Sequence, residues 1–146
     1  MSGVQPLSSD PLVEAQQKQF RADILAKEAA QLIPALCAEM ISKCLRLSQK
    51  NHAAVGSDGL RVMCDGIASL GHTVAALRGF HGLSRGDRPR LDLLEDALEA
   101  AFKDLSEANR RGYDELARSV LSEDLPAILQ AWASDGPALL APNVPG

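Results

Sequence analysis

Aromatic side chains are scarce, with three Phe, one Tyr and one Trp in 146 residues. Phe20, Phe80, Phe102, Tyr113 and Trp132 are too few for a base-stacking platform, so a core has to be built from Leu, Ile, Val, Met and Ala. An excess of basic charge is missing too: 15 Lys and Arg stand against 19 Asp and Glu, a net charge of −4. Phosphate binding is driven by clustered cations that release counterions, and no nucleic-acid partner is expected here. No basic stretch leading into an apolar run occurs at Met1-Ser2-Gly3-Val4-Gln5-Pro6. Nor does any apolar run approach the roughly 18 to 20 residues that span a bilayer. The expected setting is cytoplasmic, without a membrane span.

Cysteine is equally sparse. Cys37, Cys44 and Cys64 form no C-x-x-C pair. The first two lie two helical turns apart, about 10 Å, beyond the reach of one disulfide or one metal. All three are expected to be small buried hydrophobes. Inward Glu-x-x-His pairs, a Gly-x-x-x-x-Gly-Lys loop and a Gly-x-Ser-x-Gly elbow are all lacking, which argues against di-metal, nucleotide-hydrolysing and esterase chemistry. No cofactor, metal or small-molecule ligand is expected.

What is present is helical period. Residues 1–9 carry Ser, Pro and Gly without pattern and are expected to form a flexible lead. Asp10-Pro11 then supplies a capping side chain and a residue suited to a first helical turn, with Glu14 favourable near the positive helix end. Phe20, Ile24, Leu25, Ala29, Leu32, Leu36, Met40 and Leu47 recur at three- and four-residue spacing, predicting one apolar face of a long helix. Pro34 predicts a kink or break near residues 31–33, because proline lacks a donor and collides with the carbonyl four residues back.

Ala53-Ala54-Val55-Gly56-Ser57-Asp58-Gly59 predicts a loop, with Ser57 or Asp58 as the next cap. Over residues 59–80, Leu60, Met63, Ile67, Leu70, Val74 and Leu77 alternate spacings of three and four, a heptad seam suited to a bundle interior. Gly82-Leu83-Ser84-Arg85-Gly86-Asp87-Arg88-Pro89 is the clearest break. Beyond it Leu91, Leu94, Leu98, Phe102 and Leu105 form an apolar face, and Asp92, Glu95, Asp96, Glu99, Asp104 and Glu107 an acidic, solvated one. Arg110-Arg111-Gly112 predicts a helix end. Leu116, Val120, Leu121, Leu125, Ile128, Leu129 and Trp132 mark a last helical stretch, which Pro126 should restart near residues 122–124. After Asp135-Gly136-Pro137 an extended or disordered tail is expected. No segment alternates with period two. The expectation is an all-α helical bundle of three to four main helices with a long, kinked N-terminal helix. Its divisions are a lead over residues 1–9, a bundle domain over 10–135 and a Pro-rich tail over 136–146.

His72 has only short helical neighbours, Ala68, Ser69, Ala75 and Ala76, which would leave its ring open to solvent. Gly71-His72-Thr73-Val74 on a bundle helix resembles histidine phosphotransfer domains, and the resemblance implies His72 as a phospho-acceptor in a signalling module. Where those domains usually carry a lysine and a glycine three and four residues further on, this chain has Ala75 and Ala76. Leu60-Arg61-Val62-Met63-Cys64-Asp65-Gly66, Ala108-Asn109 and Ala131-Trp132 are similar in order to short motifs of the flagellar export chaperones, four-helix proteins that hold an unfolded flagellin segment. The likeness covers a small part of the chain, and its first interval is a helix too short.

The more specific signal is physical. Cys64, Ala68, Gly71, Ala75 and Gly79 make a stripe of small residues beside the heptad seam, of the kind that lets another backbone approach closely. Two glycines within one helix cost about 1 kcal/mol each relative to alanine, so tight packing is expected to compensate, against the first helix or a partner. A first helix of about 40 residues would reach near 60 Å, longer than a small bundle needs, leaving apolar surface for a second subunit. The sequence therefore points to a non-catalytic interaction protein. It would act as an adaptor, chaperone-like protein or assembly subunit, binding a protein partner or forming a homodimer through apolar and small-residue helix faces.

Overall fold

The structure, a computed structural model, describes residues 11–49 and 57–142. These form α1 (Pro11–Ser48), α2 (Ser57–His81), α3 (Pro89–Arg111), α4 (Asp114–Ser119), a π-helical turn (Val120–Asp124) and α5 (Leu125–Leu139), with no strand among the described residues. The lead over residues 1–9, the Asp10 cap and the loop residues 53–56 lie outside the described residues. So does the end of the tail, residues 143–146.

Close contacts fix the arrangement. Gly59 faces Leu47 and Gly66 faces Met40, so α2 runs antiparallel to α1. Arg78 reaches Asp92 while Cys64 meets Ser106, which turns α3 back along α2. Trp132 reaches Leu94 and Arg90 reaches Asp135, so α5 runs back along α3. With α5 packed most extensively on α1, the four rods close into an up-and-down bundle.

Leu60, Met63, Ile67, Leu70, Val74 and Leu77 are all buried, as the heptad spacing predicts. Each such side chain contributes about 1.5 to 3 kcal/mol when fully removed from water. On α3, Leu91, Leu94, Leu98 and Leu105 are buried with Ala101 and Ala108, and Phe102 sits half-exposed at the edge of that face. Gly112, at φ 71°, ends α3 in the left-handed conformation that glycine adopts without strain, and the Gly112 and Tyr113 amides both donate to the Ala108 carbonyl.

Of the kink or break expected near residues 31–33, the break does not occur: α1 is continuous through Pro34, with Ile33 and Cys37 buried on either side of it. Packing against α5 outweighs a penalty of about 3 kcal/mol. Pro126 does mark a new start: α4 ends at Ser119 and α5 begins at Leu125 with Pro126 in its first turn, but the π-helical turn between them keeps the chain helical. There the Leu125 amide donates to the Val120 carbonyl five residues back, the widened hydrogen bond of a π-helical turn. The tail also begins later than expected, because α5 continues through Gly136 and Pro137 to Leu139, and Leu140 is fully buried. A Cβ at Gly136 would lie 3.0 Å from the Trp132 ring one turn earlier on α5 and 3.5 Å, ordinary contact distance, from Ile33 on α1, so the glycine makes room for the buried indole rather than ending the helix. Arg88 closes this end by donating to the Leu139 and Ala141 carbonyls.

Candidate interaction surfaces

The face of α1 that enters the core is Ala26, Ile33, Cys37, Met40 and Cys44. That corrects the single apolar face expected from Phe20, Ile24, Leu25, Leu32 and their neighbours. Of those, Met40 is buried, and Ala29, Leu36 and Leu47 pack partly against the core. Phe20, Leu25 and Leu32 are each about two-thirds exposed, and Ile24 is exposed as well. None of residues 11–25 is buried, and only Val13 and Ala22 are half-buried. The first four turns of α1 therefore project past the bundle, and packing begins at Ala26.

The stripe on α2 is split by the fold. Cys64 sits half-buried, its Sγ 3.8 Å from the Ser106 hydroxyl on α3. Ala68 and Gly71 help floor a cleft of about 280 Å³ between α2 and α3, together with Ile67, Val74, Leu98 and Phe102. Ala75 and Gly79 face solvent. A Cβ at Gly71 or Gly79 would meet nothing within 4 Å, so neither glycine is packed closely by another helix of this chain. The glycines that do admit a neighbour are Gly59 and Gly66 toward α1, and Gly136. The seven-residue interval between Gly59 and Gly66 was the signal for the first two.

Charge around the cleft is organised. Arg78, only 11% exposed, donates through Nη1 to Asp92 at 3.0 Å and to Glu95, and through Nε to the Leu83 carbonyl at 3.2 Å. Burial alone would lower its pKa, but the hydrogen bonds to Glu95 and Asp92 prevail and raise it. Asp92 also accepts the Gly86 amide at 2.7 Å; that bond and Arg78 hold its carboxyl below the usual range. Arg85 pairs with Asp96 at 2.8 Å. Asp87 accepts the Ser84 amide at 2.7 Å, while α3 starts after Arg88 with no side-chain cap. The acidic face of α3 is thus partly spent on clamping the α2–α3 loop, leaving Glu99 on the cleft wall.

His72 is exposed on α2. Cys37 and Cys44 are fully buried, and burial pushes their thiols up to about 11 and about 12. A further cavity of about 590 Å³ lies where α1 meets the end of α5, lined mainly by Ala26, Ala30, Pro137 and Leu140 with Lys27 and His81 at its edge. Among the described residues no three His, Cys, Asp or Glu side chains gather closely enough to hold a metal, and no helix is long and apolar enough to cross a membrane. No protein-family model matches the chain, and neither a curated protein nor a solved structure does.

Proposed function

We propose that the chain is a non-catalytic helical interaction protein, an adaptor or assembly subunit that offers the projecting half of α1 to partner helices. The observation that carries this reading is that residues 11–25 are helical yet contain no buried residue. A free helix of about 12 to 15 residues is marginal in water, and most helical stability in proteins comes from packing an apolar face. The rest of α1 propagates the helix but leaves Phe20, Ile24 and Leu25 uncovered. Val13, Phe20 and Ile24 fall on one side with the uncharged Gln16 and Gln17, the composition of a surface that packs rather than repels. Three free thiols fit a reducing, cytoplasmic setting.

The test compares tagged wild type with Phe20→Ser/Ile24→Ser in crosslinked capture from the source cells. A protein held by the wild type and lost from the variant, with the variant's circular dichroism unchanged, supports the reading. Identical captures from both would overturn it. The second reading, a phosphotransfer module using His72, draws support from that ring's exposure. It predicts phosphate uptake from phosphorylated response regulators that His72→Gln abolishes.

A further inference from the structure

Resting on the reading of α1 as a helix-binding surface, we propose that a second copy of this chain covers it, the two α1 helices pairing antiparallel about a two-fold axis between Glu28 and Ala29. Helical geometry of about 100° per residue brings Glu14, Lys18, Leu25, Leu32, Glu39 and Lys43 within about 60° of one another. This line runs about 100° around the helix from the buried line of Ile33, Cys37 and Met40. It is a second face, with Leu25 and Leu32 exposed at 65% and 66%.

The line is its own complement when reversed. About the proposed axis, Leu25 meets Leu32 of the second copy, Lys18 meets its Glu39, Glu14 meets its Lys43, and Arg21, in the same sector, lies over its Leu36. Each pairing occurs twice by symmetry, as an isologous contact requires, and no like charges are opposed. In one copy Lys43 lies 3.4 Å from Glu39, a surface pair that the dimer extends into a four-charge cluster at each end. The same register lays residues 11–25 of one copy along residues 32–46 of the other. The part of α1 that buries no residue in its own bundle thereby rests on the part embedded in its neighbour's.

The span from Glu14 to Lys43 is about 43 Å, and a strip about 10 Å wide covers roughly 900 Å² over both copies. That lies below the roughly 1,200 to 2,000 Å² of stable specific interfaces, so a weak, concentration-dependent dimer is expected. Phe20 and Ile24 lie off this line and stay available to another partner.

Light scattering across a concentration series tests the proposal on the full chain. Wild type should pass from monomer to dimer, and Leu25→Asp/Leu32→Asp should stay monomeric with unchanged helix content, both positions being exposed. Glu14→Lys should raise the dimer Kd about tenfold, through two weakened exposed pairs and new like-charge opposition, and Glu14→Lys/Lys43→Glu should restore it. Leu25→Cys/Leu32→Cys should give an interchain disulfide on oxidation. A wild type monomeric throughout, a dimer that survives the double aspartate change, or no rescue by the charge swap would each overturn the proposal. Capture through Phe20 and Ile24 is unaffected by those outcomes, so the dimer can fail while the interaction reading stands.

Discussion

Trp132 donates its indole Nε1 hydrogen to the Leu94 carbonyl at 3.2 Å, tying α5 to α3 inside the core. Trp132 is fully buried, and its ring also sets the limit at Gly136. Trp132→Ala should cost about 3 to 5 kcal/mol, from lost transfer energy and the cavity left behind. Trp132→Phe should cost less, because the carbonyl loses a second donor while much of the ring volume remains. Chemical denaturation of both variants checks the order, and equal losses would show that volume is not the main term.

The Arg78 cluster gives an acid-side prediction. The Asp92 pKa is lowered in the folded chain, so its contribution is present above the ordinary carboxylate pKa of 3.8 and disappears as pH falls through the lowered folded value. Asp92→Asn should therefore flatten the pH dependence of stability below about pH 4. Melting temperatures between neutral and acidic pH check this. A variant with the same acid limb as wild type would show that other carboxylates dominate.

The thiols act at the other end of the scale. Cys37 and Cys44 are raised by burial to about 11 and about 12 from 9.0, so the unfolded chain ionises first. The contribution of the two protonated thiols is fully present below pH 9 and should be lost as pH rises toward those values. At pH 8 a thiol reagent should label Cys64 in the native state and reach Cys37 and Cys44 only on unfolding. Equal labelling of all three in native protein would contradict the buried placement.

The heptad seam of α2 and the leucine face of α3 were legible because large apolar side chains there coincide with the core line. On α1 they do not coincide. Its buried line includes the small or sulfur-bearing Ala26, Cys37, Met40 and Cys44, while Phe20, Leu25 and Leu32 point elsewhere. A reading that follows the largest hydrophobes selects the wrong face. Gly136-Pro137 misled for a related reason, since local glycine and proline chemistry states a cost but not the packing around Trp132 and Ile33 that offsets it. The stripe from Cys64 to Gly79 was legible as a pattern, but helical spacing alone cannot tell a cleft from a contact.

Glycine substitutions separate those two situations. Gly71 and Gly79 lie inside α2 with open space where a Cβ would be, so Gly71→Ala and Gly79→Ala should each stabilise the protein by up to about 1 kcal/mol. Gly71→Leu should also leave the melting temperature undiminished, because nothing is crowded. Gly136→Ala should behave in the opposite way. The new Cβ would sit 3.0 Å from a ring that is itself fully buried and held by the Leu94 carbonyl, so neither side can yield cheaply. A loss of about 1 to 3 kcal/mol is expected there, despite alanine's better helix propensity. Gly66→Ala falls between them, because the neighbour at 3.2 Å is the terminal methyl of Met40, a side chain with rotatable bonds to spare. Thermal melts of the five variants check the ranking. If Gly71→Ala destabilised as much as Gly136→Ala, the α2–α3 cleft would have to be closed in solution, and its open floor at Ala68 and Gly71 would be lost with it.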